Sequence, residues 1–163
     1  MDRIVFMVSV ICVSLGLSVS TIGDGNLYQM GVRKVISPTG QKVRNDVKGM
    51  GSYGTSRGDR IHEGTDYLCT PGQSVVAPIS GKVTRLAYPY NDRSYGGLVI
   101  QGSSLAIKLF YIQPNSGIVG REVKQGEAIA TAQDISERYS IGMKPHVHLE
   151  ITSLNPEILI SML

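Results

Sequence analysis

Apolar residues fall in short runs along this chain, separated by glycine, proline and serine clusters rather than spaced at a helical period. The runs predict strands over residues 74–77, 82–87, 98–101, 105–112 and 128–132. Within 82–87 the alternation of apolar and polar positions is imperfect. Thr70-Pro71-Gly72-Gln73 and residues 78–81 read as turns, and Gly102-Ser103-Ser104 reads as the tip of a hairpin. Residues 145–151 form a further strand, in which His146, His148 and Glu150 share one face and Val147, Leu149 and Ile151 the other. Between the strands, residues 88–97 make a long loop carrying Tyr88, Tyr90 and Tyr95, a place where recognition residues commonly sit. Residues 134–143 are polar, with room for one helical turn. The pattern predicts an all-β or β-rich single domain with loops at one end around the histidines.

The two ends of the chain read differently. After Asp2-Arg3, residues 4–19 are apolar and uncharged, and Ser18-Val19-Ser20 offers small side chains where a signal peptidase reads them. This predicts a signal peptide over 1–20, an extracellular, secreted product, and no membrane span after cleavage, since the run is shorter than the ~20 residues a span needs. Residues 21–48 show no apolar period and read as an irregular lead-in to a domain over 49–163. Cys12 leaves with the signal peptide, so Cys69 is the single thiol of the mature chain. A buried, hydrophobe-like cysteine in a monomer is expected, with a Cys69-linked dimer as the alternative.

Composition adds little beyond this. With 42% hydrophobic and 18% charged residues the chain has a packed core. Its net charge of +3 is spread over scattered lysines and arginines, which gives no nucleic-acid footprint.

The histidines carry the chemistry. There are three, all in two short segments: His62-Glu63-Gly64-Thr65-Asp66 and His146-Val147-His148. Imidazole and carboxylate are good ligands for zinc, and a catalytic type of site uses three protein ligands and leaves a position for water. His62, Asp66 and one strand histidine supply such a set. Gly64 argues against a helix; on an extended chain His62, Gly64 and Asp66 share a face, and the missing side chain leaves space between the ligating groups. Upstream, the glycine-rich stretch 49–54 lacks the Gly-Lys-Ser/Thr ending of a phosphate loop. It reads as a tight turn that brings Tyr53 and Arg57 toward the histidine segment.

These paired segments resemble the lysostaphin-type metallopeptidase domain of peptidase family M23. Arg60-Ile61-His62-Glu63-Gly64-Thr65-Asp66-Tyr67-Leu68-Cys69, Leu109-Phe110-Tyr111-Ile112 and His146-Val147-His148-Leu149-Glu150 look closest to its chemotaxin-like branch of secreted animal proteins. The resemblance runs over residues 49–159. It implies a compact antiparallel β domain with a zinc site in a groove at one end. It implies His62, Asp66 and His148 as zinc ligands, and His146 as the histidine that acts on the activated water in active members. Those members carry a second such histidine where this chain has Tyr111, a replacement shared with the chemotaxin-like branch. A phenol, with a pKa near 10, is a poor proton shuttle near neutrality. In vertebrate members of that branch the cysteine matching Cys69 pairs with an upstream cysteine, which this mature chain lacks. The resemblance therefore implies a secreted, zinc-binding, cytokine-like signalling or recognition protein of innate immunity, without peptidase activity, whose partner is a cell-surface receptor. The alternative is a secreted zinc endopeptidase that cuts glycine-rich peptide crosslinks, its partner then being a bacterial cell-wall component.

Overall fold

Leucine and isoleucine at alternate positions of two neighbouring segments set the centre of the fold. Strands β6 (Gly97–Gln101) and β7 (Leu105–Phe110) pair antiparallel, with Leu98 opposite Leu109 and Ile100 opposite Ile107, all four fully buried. The computed structural model describes residues 34–139 and 142–157, so the predicted signal peptide and the start of the lead-in lie outside the described residues.

Around this pair the sheet extends on both sides. Strands β11 (His146–Leu154) and β3 (Thr65–Leu68) lie beyond β7, and β5 (Gly81–Ala87) and β9 (Glu122–Val123) lie beyond β6, giving the order β3-β11-β7-β6-β5-β9. A second, three-stranded sheet runs β4 (Ser74–Val76), β10 (Ala128–Ala132), β8 (Ile112–Pro114). A small hairpin joins β1 (Asn45–Asp46) to β2 (Gly49–Met50). Every strand pair is antiparallel. One core cluster draws on both larger sheets, including Val75 and Ile129 from the smaller and Val83, Val147 and Leu149 from the larger. A 3₁₀ turn, Ile135–Glu137, follows β10, its first turn capped by Asp134 accepting from the Ser136 N–H. Among the described residues no helix is long and apolar enough to cross a membrane.

Three local expectations are corrected. The run 105–112 is not one strand. Tyr111 adopts φ +66°, which reverses the pleat; β7 ends at Phe110, and β8 leaves for the other sheet, pairing Ile112 with Ala132. Leu109-Phe110-Tyr111-Ile112 is an unbroken apolar run, so the break, after which Ile112 rather than Tyr111 is buried, leaves no trace in the apolar pattern. His62 does not sit on a strand, since β3 begins at Thr65. Ile151 does not join Val147 and Leu149 in the core; it is 51% exposed, beside a register shift between Ile151 and Ser153. A similar shift between Val83 and Arg85 accounts for the imperfect alternation in β5.

The register of the large sheet positions the site. Val147 and Leu149 face the core, so His146, His148 and Glu150 face the other way. His148 stands opposite Asp66 on β3 and Phe110 on β7, and Glu150 stands opposite Lys108. These side chains form one row across the outer face of three strands. Residues 42–44 run along the free edge of β3, through a Val43–Tyr67 bridge and the Arg44 N–H to Asp66 C=O bond of 2.8 Å. That edge strand is thereby covered, and Arg44 is brought beneath the row.

Candidate metal centre

Three ligand atoms meet at the end of this row. His62 Nε2 lies 3.1 Å from His148 Nδ1 and 3.1 Å from Asp66 Oδ1, and His148 Nδ1 lies 2.9 Å from Asp66 Oδ1. Tetrahedral zinc with bonds of ~2.0–2.1 Å to nitrogen and oxygen requires ligand–ligand edges of about 3.3 Å, close to this triangle. Two imidazoles and one carboxylate are also a donor set that zinc accepts. The residues therefore fit a divalent ion of that size. Among the described residues, His62, Asp66 and His148 are the group of metal-ligating side chains that comes together in this way.

Each ligand is held by its surroundings. His62 closes a short hairpin, donating its backbone N–H to Thr55 C=O and accepting from the Gly54 N–H. Its ring nitrogen Nδ1 lies 3.0 Å from Ser52 C=O, which makes Nδ1 the protonated atom and leaves the Nε2 lone pair facing the site. Asp66 turns Oδ1 to the histidines, and Oδ2 accepts from Arg44 Nη2 at 3.1 Å and Arg57 Nη2 at 3.5 Å. His148 stacks on Phe110 at 6.0 Å between ring centroids and 22° between planes. Its far nitrogen Nε2 is 3.8 Å from Glu150 Oε2, which pairs with Lys108 Nζ at 2.6 Å. The space left by Gly64 is filled by the His148 ring itself: a Cβ at Gly64 would stand 2.5 Å from His148 Cε1 and 2.6 Å from Nε2, and against the Leu149 carbonyl.

His146 is next to the triangle but outside it. Its Nδ1 lies 2.8 Å from Lys144 C=O, so Nδ1 donates there and Nε2 turns inward, 3.8 Å from Asp66 Oδ2. Tyr111 meets it edge-on at 5.2 Å between centroids. Tyr90 stacks against Tyr111 at 6.4 Å, and the Tyr90 hydroxyl meets that of Tyr139 at 2.8 Å. The row, the triangle and these tyrosines line a groove of about 500 Å³.

Burial sets the protonation of these groups. It pushes the imidazoles of His62 and His146 below their ordinary value, keeping them neutral and ready to donate a lone pair or take a proton. Burial alone would push the Asp66 carboxyl up. The His148 hydrogen bond and the surrounding imidazoles outweigh it and hold the group well below the usual carboxylate range. Burial also pushes the Tyr111 phenol up, away from neutrality.

The expected site residues His62, Asp66, His146, His148 and Tyr111 thus lie together. Of the two upstream residues expected here, Arg57 reaches Asp66, while Tyr53 is 69% exposed and takes no part in the groove. Sequence reasoning missed Arg44, which belongs to a stretch without apolar period; the contact with Asp66 depends on a bridge that only the fold creates. It also missed Tyr139, which has no alternation or cluster to mark it.

The sequence profile of peptidase family M23 matches residues 60–158. The chain is 33% identical over 112 residues to leukocyte cell-derived chemotaxin-2 of Bos taurus, covering 68% of this chain and 72% of that relative. Among solved structures it is similar to the antimicrobial peptidase lysostaphin of Staphylococcus simulans, with TM-score 0.51 and 20% identity over 80% of this chain and 55% of that one. It is also similar to a zinc-containing peptidase of Vibrio cholerae, with TM-score 0.52 and 22% identity over 73% of this chain and 36% of that one. The two structural likenesses concern the fold, and the chain spans only about a third to a half of those solved chains. The profile match, which spans more than half of the chain, shows that it belongs to peptidase family M23.

Proposed function

We propose that the chain is a secreted, zinc-binding recognition protein of the chemotaxin-2 kind, with an extracellular receptor as partner and without peptidase turnover. His62, Asp66 and His148 hold the zinc. Bound there, zinc supplies Lewis acidity and lowers the pKa of a coordinated water to about 7.

Hydrolysis of a peptide also needs groups that move protons and stabilise the oxyanion. His146 meets the first need: its Nε2 faces the groove and its pKa is lowered by burial. The observation that carries the proposal is the second position. There the groove presents Tyr111, a phenol whose pKa burial raises still further. It is able to donate a hydrogen bond but does not cycle a proton near neutrality, and loss of one such group typically costs about 10²–10⁴-fold.

The test uses the mature chain loaded with zinc. Elemental analysis is expected to give one zinc per chain, and His148→Ala to lose it. Glycine-rich peptides are expected to stay intact with the wild type. Wild-type cleavage that His148→Ala abolishes would overturn the non-enzyme reading in favour of an endopeptidase acting on bacterial cell wall. That second reading draws its support from the complete ligand set and from the inward-facing His146.

A further inference from the structure

The groove beside the three ligands is unevenly charged: five arginine and lysine side chains line it against three carboxylates. Most of the cations are engaged. Arg44 is spent on Asp46 and Asp66, Arg57 on Asp66 and the Met50 carbonyl, and Lys108 on Glu150. Arg60 differs. It is exposed, and its guanidinium has no hydrogen-bond acceptor or ion-pair partner among the described residues. Its backbone is nonetheless fixed: the Arg60 carbonyl accepts from the Arg57 N–H at 2.8 Å, and the neighbouring Ile61 bridges to Ser56. Arg60 is one of the residues that line the groove.

A wall of tyrosines also lines the groove. Tyr88 and Tyr139 are each 42% exposed, and Tyr90 joins them. The wall is braced from behind. Tyr90 and Tyr139 share a hydrogen bond, the Arg138 guanidinium lies 3.8 Å over the Tyr90 ring, and Arg138 pairs with Asp92 at 2.8 Å. These contacts tie the loop 88–96 to the segment after β10, so the tyrosine wall is preorganised. Aromatic faces suit a peptide backbone, and an arginine fork suits a carboxylate, which it binds through two parallel hydrogen bonds.

We infer that Arg60 makes this groove a subsite for an acidic peptide, whose aspartate or glutamate carboxylate docks on the guanidinium while its backbone lies against Tyr88 and Tyr139. The inference deepens the recognition reading above and rests on it. A sulfated polysaccharide, the other common anionic polymer, fits less well. It needs a broad face of unengaged cations, and here exposed Glu63 lines the same groove and repels a dense polyanion.

The probes are three end-blocked pentapeptides with glycine at the flanking positions and Glu, Gln or Lys at the centre, titrated calorimetrically into the zinc-loaded mature chain. The glutamate peptide is expected to bind about tenfold or more tighter than its glutamine isostere, as a charge-assisted contact requires. Arg60→Gln should erase that difference, and Arg60→Glu should turn the preference to the lysine peptide. Arg60 is exposed, so unchanged melting temperatures will show both variants folded. Equal affinities for the three peptides, no binding of any, a preference that survives Arg60→Gln, or tighter binding of a sulfated disaccharide would each overturn the inference. Mass spectrometry of the same samples separates the two readings: cleaved peptide refutes the non-enzyme function while leaving the charge preference standing, whereas intact peptide bound without preference refutes the subsite alone.

Discussion

Adding one methyl group at Gly64 tests how the centre is built. Gly64 has no left-handed backbone that alanine would strain, so the effect of Gly64→Ala comes from space alone. The new Cβ would lie 2.5 Å from His148 Cε1 and 2.6 Å from His148 Nε2, and would also press on the Leu149 backbone carbonyl. Ordinary carbon contacts are ~3.5–4.0 Å, so something must move by about 1 Å. The carbonyl belongs to the β3–β11 ladder and resists; the imidazole is packed on Phe110 and resists less. Metal sites tolerate ligand displacements of about 0.2 Å. Even disturbing a residue that only orients a ligand typically costs about 10–100-fold in metal affinity, so displacing His148 itself should cost at least about 100-fold. Overpacking of this kind also costs about 1–3 kcal/mol in the metal-free fold. Zinc affinity by chelator competition, and thermal melts with and without chelator, measure the two effects separately. If Gly64→Ala binds zinc within about twofold of wild type, the contact between Gly64 and His148 does not position the ligand.

Other outcomes follow from the same surroundings. Arg44→Met should destabilise the metal-free chain by about 3–5 kcal/mol in chemical denaturation, because buried Asp46 and Asp66 lose their common partner; a change under about 1 kcal/mol would refute this. In chelator, stability should be flat above about pH 7 and fall as the pH drops below about 6.5. Burial depresses the folded-state values of His62 and His146, so the unfolded chain takes up protons first; a melting temperature constant from about pH 7 to 5 would contradict this. Cys69 is buried, and burial pushes its thiol from 9.0 to about 11. Labelling by a thiol reagent near neutrality should therefore be at least about 100-fold slower in the folded chain than in denaturant, and equal rates would place the thiol at the surface.

Strand content, and a set made of His62, Asp66 and one strand histidine, are legible in local spacing; the choice of His148 over His146 rests on the family resemblance. The alternation in His146-Val147-His148-Leu149 fixes which face each residue takes, whatever lies beside it. The spacing from His62 to Asp66 works for a different reason from the one extension suggests. His62 is held by a hairpin, and the gap at Gly64 admits a ring from another strand. Arg44 and Lys108 are not legible, because their partners are set by register between distant strands. The Tyr90–Tyr139 brace is equally hidden, since it joins two loops that carry no periodic signal.

Tyr111 joins fold and function at one position. A left-handed residue with a side chain costs about 1–2 kcal/mol, and a tyrosine gains nothing from that conformation that histidine or asparagine would not. The cost is offset by packing: Tyr111 stacks on Tyr90, meets Tyr95 edge-on at 6.1 Å and meets His146 edge-on. Aromatic pairs of this kind each contribute about 0.5–1.5 kcal/mol beyond the area they bury. The phenol is therefore the anchor on which the tyrosine wall is assembled, as well as the group that stands where a proton carrier would act. An imidazole placed there would regain a titratable group but give up part of the support for Tyr90, and with it the brace to Tyr139. On the proposed reading, the residue that stands in place of a proton carrier is also the one that supports the tyrosine wall, so Tyr111→His should loosen the Tyr90–Tyr139 contact as well as supply an imidazole.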